Sequence, residues 1–323
     1  MSLNGSGAPE PPPSSPATSP RARTGDELHE DAIVRSPTRP RRGWRAAVHR
    51  LTGGRLSPSA RSDDVVRREW LRRIQRPLHG AHQIAVTSVK GGVGKTTVSA
   101  CLGLTLAEHR GDRTIVLDAN PDAGTLADRL TGDTSVTVRD LLDNADRIRS
   151  LSDVIRYTSL AGRLQVLASV QDPAVSEAFS REEYEQVCRI LTDYFNILIT
   201  DSGTGLVHSA MEGTLALADT LVIIGALTVD GATRASKTLD WLDAHDHGDL
   251  VRDAVVVLSL DRRSVEVDPH IVRSHFEARC RAVVEVPFDP HLATGGRIEL
   301  PRLKRETRDA FLELAAHVAD SFR

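Results

Sequence analysis

Lysine and cysteine are scarce in this chain. The 323 residues contain only four lysines among 41 basic residues, and two of them, Lys90 and Lys95, lie five positions apart. The three cysteines, Cys101, Cys188 and Cys280, are odd in number and far from one another. This spacing argues against a disulfide framework or a thiolate metal centre, so we expect three buried thiols in a reducing compartment.

Long apolar runs are also absent. A transmembrane helix needs about 20 consecutive apolar residues, whereas the longest runs, such as 221–227, have the length of a strand. The N-terminus lacks the apolar core of a secretory signal. We therefore expect a cytoplasmic protein, with a peripheral position at the inner face of the membrane left open as an alternative.

The net charge of −3 hides a strong asymmetry along the chain. Residues 1–42 hold half of the 16 prolines and few apolar residues, a composition that predicts a disordered tail. Between residues 35 and 76, thirteen arginines face only three acids, which gives a local charge near +10. We assign residues 43–79 to a basic arm and residues 80–323 to one folded domain.

The arm has the pattern of two short helices. Apolar spacing from Trp44 predicts the first helix, and Ser62 is a suitable N-cap for a second helix with Val66, Trp70 and Ile74 on one face. Two interpretations compete. Either both apolar faces pack on the main domain and the arginines are solvated, or the arm binds an anionic membrane surface, nucleic acid or an acidic partner.

From residue 82 onward, β-branched strands alternate with helical segments. Near-continuous apolar strands separated by helices indicate a mostly parallel sheet covered on both faces. The predicted fold class is therefore α/β with three layers, and the glycine-rich run after the first strand, residues 89–97, makes it a P-loop NTPase fold. The predicted strands are 84–88, 114–119, 164–168, 197–200, 220–224, 254–258 and 282–286.

A glycine-rich loop joins the first of these strands to a helix, which is the context that a phosphate-binding loop requires. Its backbone N–H groups and the following helix N-terminus would bind phosphate oxygens. Lys95 is expected to reach the β- and γ-phosphates, Thr96 to bind Mg²⁺, and Thr97 to support the α-phosphate. The remaining loop residues predicted to bind the nucleotide are Gly91, Gly92, Val93 and Gly94.

The run Lys-Gly-Gly-Val-Gly-Lys-Thr-Thr resembles the deviant Walker A motif of the MinD/ParA family. In that family an additional lysine, matched here by Lys90, reaches the nucleotide of the partner subunit. The resemblance implies ATP as the nucleotide and an ATP-dependent homodimer, which ATP would favour by linkage.

Two acidic positions complete the predicted catalytic set. Asp118 matches the first acid of the family's second motif and is expected near the metal, but Asn120 stands where the second acid orients the attacking water. Asp201 ends a buried strand and resembles the Walker B acid that holds a water on Mg²⁺. Gly205 matches the glycine that senses the γ-phosphate. Because asparagine cannot accept the proton of water, weak turnover and a nucleotide-locked protein both remain open.

The base pocket is predicted from the position of a loop that follows the last strand. The family places an adenine-contacting loop there, which corresponds to Pro287, Phe288 and Asp289. Where the family often has asparagine, this chain has Ser259. The preference for ATP over GTP is therefore what the resemblance implies.

Segments 42–52, 118–126, 230–232 and 239–242 resemble those of EspI-type proteins, which are MinD-like ATPases encoded with actinobacterial type VII secretion systems. The similarity covers roughly residues 40–323. This resemblance implies a protein partner in a secretion or positioning machinery, contacted through the tail or the arm. A DNA-partition or cell-division ATPase is the rival, with arginines between 297 and 308 as a candidate DNA patch, although interleaved acids favour a solvated face. We therefore keep two functions: a slowly hydrolysing ATPase switch and a non-hydrolysing nucleotide-dependent scaffold.

Overall fold

A computed structural model describes residues 58–88, 91–120, 124–132, 135–169, 180–204, 209–260 and 267–322. An eight-stranded sheet forms its centre, in the order β3-β4-β2-β5-β1-β6-β7-β8. The strands are β1 His82–Ser88, β2 Thr114–Ala119, β3 Ser159–Ala161, β4 Leu164–Leu167, β5 Ile197–Thr204, β6 Thr220–Ala226, β7 Val255–Ser259 and β8 Ala282–Val286.

Helices cover both faces of this sheet. The longer ones are α1 Pro58–Ile74, α2 Lys95–His109, α6 Arg181–Thr192, α7 Ser209–Leu217, α8 Val229–Ala244, α10 Pro269–Glu277 and α12 Arg305–Ala319. The shorter ones are α3 Leu126–Leu130, α4 Val138–Asp143, α5 Leu151–Ile155, α9 Gly248–Asp253 and α11 Pro290–Ala293. The predicted α/β P-loop fold with three layers is therefore confirmed.

The order of the strands fixes the position of the site. All neighbouring strands run parallel except β3 and β4, which pair antiparallel at one edge. β1 lies between β5 and β6, so the loop after β1 leaves the middle of the sheet at its carboxyl edge. In open parallel sheets ligands bind at this edge, where the strand order reverses.

β3 is not among the strands predicted from the sequence. Its three residues are too few to show a period, and Leu160 is 57% exposed, so no apolar run marks the strand. Antiparallel pairing with β4 through the short turn at Gly162 creates it.

The cysteines follow the prediction, since Cys101, Cys188 and Cys280 are all buried and unpaired.

The helix of the arm differs from the prediction at its start. α1 begins at Pro58, and Ser62 lies inside it, so the prediction of Ser62 as N-cap was wrong. Proline is favoured in the first turn of a helix because its missing N–H needs no partner there. Val66 is also 45% exposed, whereas Ile74 is fully buried. The helix predicted from Trp44 lies outside the described residues.

α1 packs on the domain rather than standing apart from it. Ile74 belongs to the main core, and Trp70 and Leu71 pack against that core. Arg110 of α2's C-terminal end donates to the backbone carbonyls of Ile74 and Arg76. Of the two interpretations of the arm, packing on the domain therefore describes this helix.

Arginines of the arm are paired with acids of the C-terminal helix region. Arg67 pairs with Asp309, and Arg73 and Arg76 both pair with Asp320. These contacts join residues more than 240 positions apart. The expectation that the arginines are simply solvated was therefore wrong for these three, because α12 presents acids to them.

Candidate nucleotide-binding site

The phosphate loop has the backbone that its sequence predicts. Gly92 and Gly94 have φ angles of 78° and 98°, in the left-handed region that favours glycine. Gly94 is the N-cap of α2, which begins at Lys95. The positive end of this helix therefore faces the space that a phosphate chain would fill. Lys90, the additional lysine of the motif, lies outside the described residues.

Lys95 and Asp201 form a buried ion pair beneath the loop. The Lys95 Nζ lies 2.9 Å from Asp201 Oδ1, and the side chains are 7% and 1% exposed. The Ser99 hydroxyl donates to the same oxygen at 3.0 Å. The second oxygen, Oδ2, is buried and has no hydrogen-bond partner among the described residues. This oxygen therefore remains available as an acceptor for a bound water or a ligand.

Asp118 lies beside Asp201 because β2 and β5 pair in register at these two residues. Its Oδ1 accepts the backbone N–H of Asn120, and its Oδ2 accepts that of Leu126, both at 3.1 Å. Burial, together with the nearby charge of Asp201, raises the pKa of Asp118 to about 7. The two carboxylates are therefore placed where a cation would be favoured.

Gly124 lies directly against Asp118 and Ser169. A Cβ at Gly124 would lie 2.1 Å from Asp118 Oδ2 and 1.9 Å from Ser169 Oγ, which is far below contact distance. Only glycine therefore fits this close approach.

A cavity of about 400 Å³ lies over the phosphate loop. This volume is within the range of small-molecule sites. Asn120 lines the cavity together with the loop. The lining residues are Ser88, Gly91, Gly92, Gly94, Lys95, Thr96, Thr97, Asn120, Thr125, Arg129, Leu292, Ala293 and Gly295.

The far wall of the cavity differs from the predicted base loop. It is formed by Leu292, Ala293 and Gly295, a few residues after the predicted Pro287, Phe288 and Asp289, which do not line it.

Asp289 has a role inside the protein. It is 3% exposed and accepts the N–H groups of His291 and Lys304, each at 2.8 Å. The prediction of Asp289 as a base contact therefore needs correction: its carboxylate caps α11 and fixes the following segment. A base contact by Pro287 or Phe288 stays a prediction.

Ser259 and Gly205 complete the predicted set. The Ser259 hydroxyl lies 3.7 Å from the position of a Cβ at Gly94, so the end of β7 adjoins the phosphate loop. Gly205 lies outside the described residues.

Arg129 was missed by the sequence analysis. It is carried by the five-residue helix α3 and is 7% exposed. Its Nη2 donates to Thr97 Oγ1 at 3.1 Å and to the Leu292 carbonyl at 3.3 Å. No motif spacing marks this residue, because the fold brings it to the phosphate loop from 32 positions away.

A central β-strand, a glycine loop at a helix N-terminus and paired acids at the carboxyl edge of the sheet define a P-loop nucleotide-binding protein. Residues 84–242 match the family model described as the CobQ/CobB/MinD/ParA nucleotide-binding domain. The chain therefore contains a nucleotide-binding domain of the MinD/ParA type.

The chain is also similar to a secretion-associated protein. The ESX-1 secretion-associated protein EspI of Mycobacterium tuberculosis is 34% identical over 288 residues, which are 87% of this chain. The chain spans 42% of the length of that relative.

Two solved structures share the fold. A ParA family ATPase from Chlorobium tepidum has a TM-score of 0.62 and 17% identity, over 73% of this chain and 99% of its own. The septum site-determining protein MinD of Pyrococcus horikoshii, complexed with Mg-ADP, has a TM-score of 0.59 and 19% identity, over 73% of this chain and 94% of its own.

Among the described helices, none has the length and apolarity to cross a membrane.

Proposed function

We propose that this chain binds Mg–ATP over its phosphate loop and acts as a slowly hydrolysing dimerisation switch that recruits or positions a partner. The observation that carries the proposal is the convergence of Lys95, Asp118 and Asp201 beneath a cavity lined by the phosphate loop and Asn120. The Mg-ADP complex of the Pyrococcus horikoshii MinD, which shares this fold, supports the choice of ligand.

The residues present fit a magnesium ion. The Asp201 Oδ2 is buried and without a donor, and Asp118 lies beside it in register. Mg²⁺ prefers oxygen ligands and usually retains several waters beside one or two carboxylates. Thr96 would contribute its hydroxyl, while Asp201 and Asp118 would hold metal-bound water. The ion would neutralise charge on the phosphates.

Lys95 would exchange its present partner for the nucleotide. It now pairs with Asp201 in a buried environment, where a cation without an anionic partner is strongly destabilising. Phosphate oxygens of ATP would replace the carboxylate, leaving Asp201 to the metal. The P-loop lysine therefore remains paired both with and without nucleotide.

Dimerisation is proposed through Lys90, whose counterpart in the family reaches the nucleotide of a second subunit. Sedimentation of the full chain should show a monomer with Mg–ADP and a dimer with Mg–ATP. Lys90→Ala should remain monomeric with Mg–ATP while still binding it. A dimer that is independent of nucleotide would contradict the switch.

Asn120 determines whether ATP and water are converted to ADP and phosphate. Its amide can orient water but cannot accept the proton, so positioning would carry a slow reaction. Phosphate release from Mg–ATP tests this, with Lys95→Ala as the blank and Asn120→Asp as the matched variant. Turnover above the blank supports the switch, and we expect Asn120→Asp to increase it. Bound ATP without turnover favours the alternative, a non-hydrolysing scaffold.

The partner is proposed to belong to a secretion or positioning machinery, because EspI is described as ESX-1 secretion-associated. The N-terminal tail or the arm would contact it, in the cytoplasm or at the inner face of the membrane.

A DNA-partition or cell-division function is less favoured by the candidate patch. Arg302 lies 3.6 Å from Glu299, and Arg305 contacts Asp64 and Asp309. Acids therefore already neutralise much of this surface, which leaves less charge for phosphate contacts. Retention of the full chain on DNA that depends on ATP would support this alternative instead.

A further inference from the structure

Arg129 is a buried cation without an anionic partner among the described residues. Its guanidinium contacts only neutral acceptors, the Thr97 hydroxyl and the Leu292 carbonyl, and its Nε is buried with no partner. A buried charge is costly unless it is paired. The guanidinium also lines the cavity over the phosphate loop. An anion within that cavity would supply the missing partner.

The contacts of Arg129 indicate which part of a nucleotide its guanidinium would bind. Lys95 and Asp201 mark the side of the loop where the metal and the terminal phosphates are expected. Arg129 contacts neither of these two residues and instead bonds to Thr97 and to the wall at Leu292. Thr97 is the residue expected at the α-phosphate, so the guanidinium is one hydrogen bond away from that place.

We propose that Arg129 binds the α-phosphate of the nucleotide and supplies affinity that ADP and ATP share. This inference rests on the proposed nucleotide-binding function. It differs from the expected role of Lys95, which concerns the β- and γ-phosphates. Arginine suits the position because its planar fork can hold two protein acceptors and still present N–H groups to phosphate.

The short helix α3 holds Arg129 in place from both ends. At its start, the Leu126 N–H donates to Asp118 Oδ2 at 3.1 Å. At its end, the Arg129 carbonyl accepts the Ile298 N–H at 2.8 Å, and Arg297 Nε donates to the Leu130 carbonyl at 3.0 Å. The guanidinium therefore faces the cavity from a fixed backbone, as a preorganised binding group requires.

Gly295 leaves room beside the guanidinium. Its φ angle is +72°, and a Cβ there would lie 3.7 Å from Arg129 Nη1. Since glycine carries no side chain, Nη1 keeps an open approach on the cavity side. Nη1 is thus the group that would donate to phosphate, since Nε is itself buried.

The test is calorimetric titration of the full chain with Mg–ADP and Mg–ATP. Arg129→Gln should weaken both ligands by the same factor, roughly 10- to 100-fold, because one charge-assisted contact is lost. Arg129→Lys should show a smaller loss for both. Arg279→Gln is the matched control, since the Arg279 side chain is only 7% exposed but pairs with Asp240 and Asp243 and does not line the cavity, and it should leave both affinities unchanged.

Thermal unfolding without ligand separates binding from a structural role. If Arg129 serves phosphate, Arg129→Gln should keep or raise the ligand-free Tm, since an unpaired buried charge is removed, while the Tm shift caused by ADP shrinks. A lowered ligand-free Tm with unchanged affinities would overturn the proposal. A loss confined to ATP would also overturn it, because it would place Arg129 at the γ-phosphate.

Failure of the proposed function gives a different result. If the unmodified chain binds neither ADP nor ATP, both the function and the role of Arg129 are wrong. If the unmodified chain binds both and Arg129→Gln binds them equally well, only the role of Arg129 is wrong.

Discussion

Two sets of cation–carboxylate pairs lie in very different surroundings in this protein. The pair of Lys95 and Asp201 is almost fully buried beneath the phosphate loop. The pairs of α1 with α12, such as Arg73 with Asp320, are partly exposed at 16% and 24%. The same kind of ion pair therefore has a different role in each of the two regions.

Burial explains the difference between the two regions. A buried pair loses its hydration and adds little to stability, yet removal of one partner leaves an uncompensated charge. Such a pair is suited to exchange one anion for another. Partly exposed pairs contribute up to about 1 kcal/mol each and depend on the packing beneath them. In the arm that packing comes from Ile74.

The largest effect is expected for Asp201→Ala. It leaves the Lys95 ammonium buried without an anion, so the free energy of unfolding should fall by about 3 kcal/mol, toward the low end for such pairs because Lys95 can turn into the cavity. Urea unfolding without ligand measures this loss. Ser99→Ala is the control, since it removes only a neutral donor to the same oxygen. An unchanged midpoint in Asp201→Ala would contradict the account of the buried pair.

Ile74→Ala should have the next largest effect. Ile74 is fully buried at the end of α1, and its truncation should lower the free energy of unfolding by about 2 kcal/mol. The measurement is again urea unfolding. Val66→Ala on the same helix, at a position that is 45% exposed, should change little. Equal effects of the two substitutions would show that α1 does not pack as described.

Acid should weaken the contact between α1 and α12. Burial, and then the charge of Arg73, lower the pKa of His317 to about 4, and Arg73 Nη2 lies 3.1 Å from His317 Nδ1. The unfolded chain takes up this proton near pH 6.5 and the folded chain only near pH 4, so stability is present above pH 6.5 and falls between these values. We expect a loss on the order of 1 kcal/mol from pH 7 to pH 5. His317→Gln should flatten this part of a Tm-against-pH profile, and an equally steep profile would exclude His317 as the cause.

Asp320→Asn should have the smallest effect. It removes the charge that Arg73 and Arg76 share, with an expected loss below about 1 kcal/mol that shrinks in high salt. Thermal melting at low and high salt measures this loss. Glu69→Gln, which removes an exposed pair within α1, should leave Tm unchanged at either salt concentration. A salt-independent loss for Asp320→Asn would indicate altered packing instead.

The sequence predicts the central part of the site well, because its signals are local. The strand, glycine loop and helix around Lys95 are contiguous, and Asp118 and Asp201 each come after a run of buried apolar residues within their strand. Parallel strands bring such ends to one edge, so their proximity follows from the fold class.

Other features could not be predicted, because they depend on contacts between distant segments. Arg129 lies on a helix too short to show a period, and its neighbours Thr97 and Leu292 come from other parts of the chain. Likewise, a basic stretch around Arg73 has the same pattern whether it faces solvent or Asp320. Charge patterning along a chain gives no information about the partner that folding supplies.

The most direct test of the account is calorimetric titration of the full chain with Mg–ATP. The account predicts saturable binding with one nucleotide per chain and a loss of at least roughly 100-fold in affinity for Lys95→Ala, which removes the cation expected at the β- and γ-phosphates. Absence of binding by the unmodified chain, or binding that Lys95→Ala leaves intact, would contradict it.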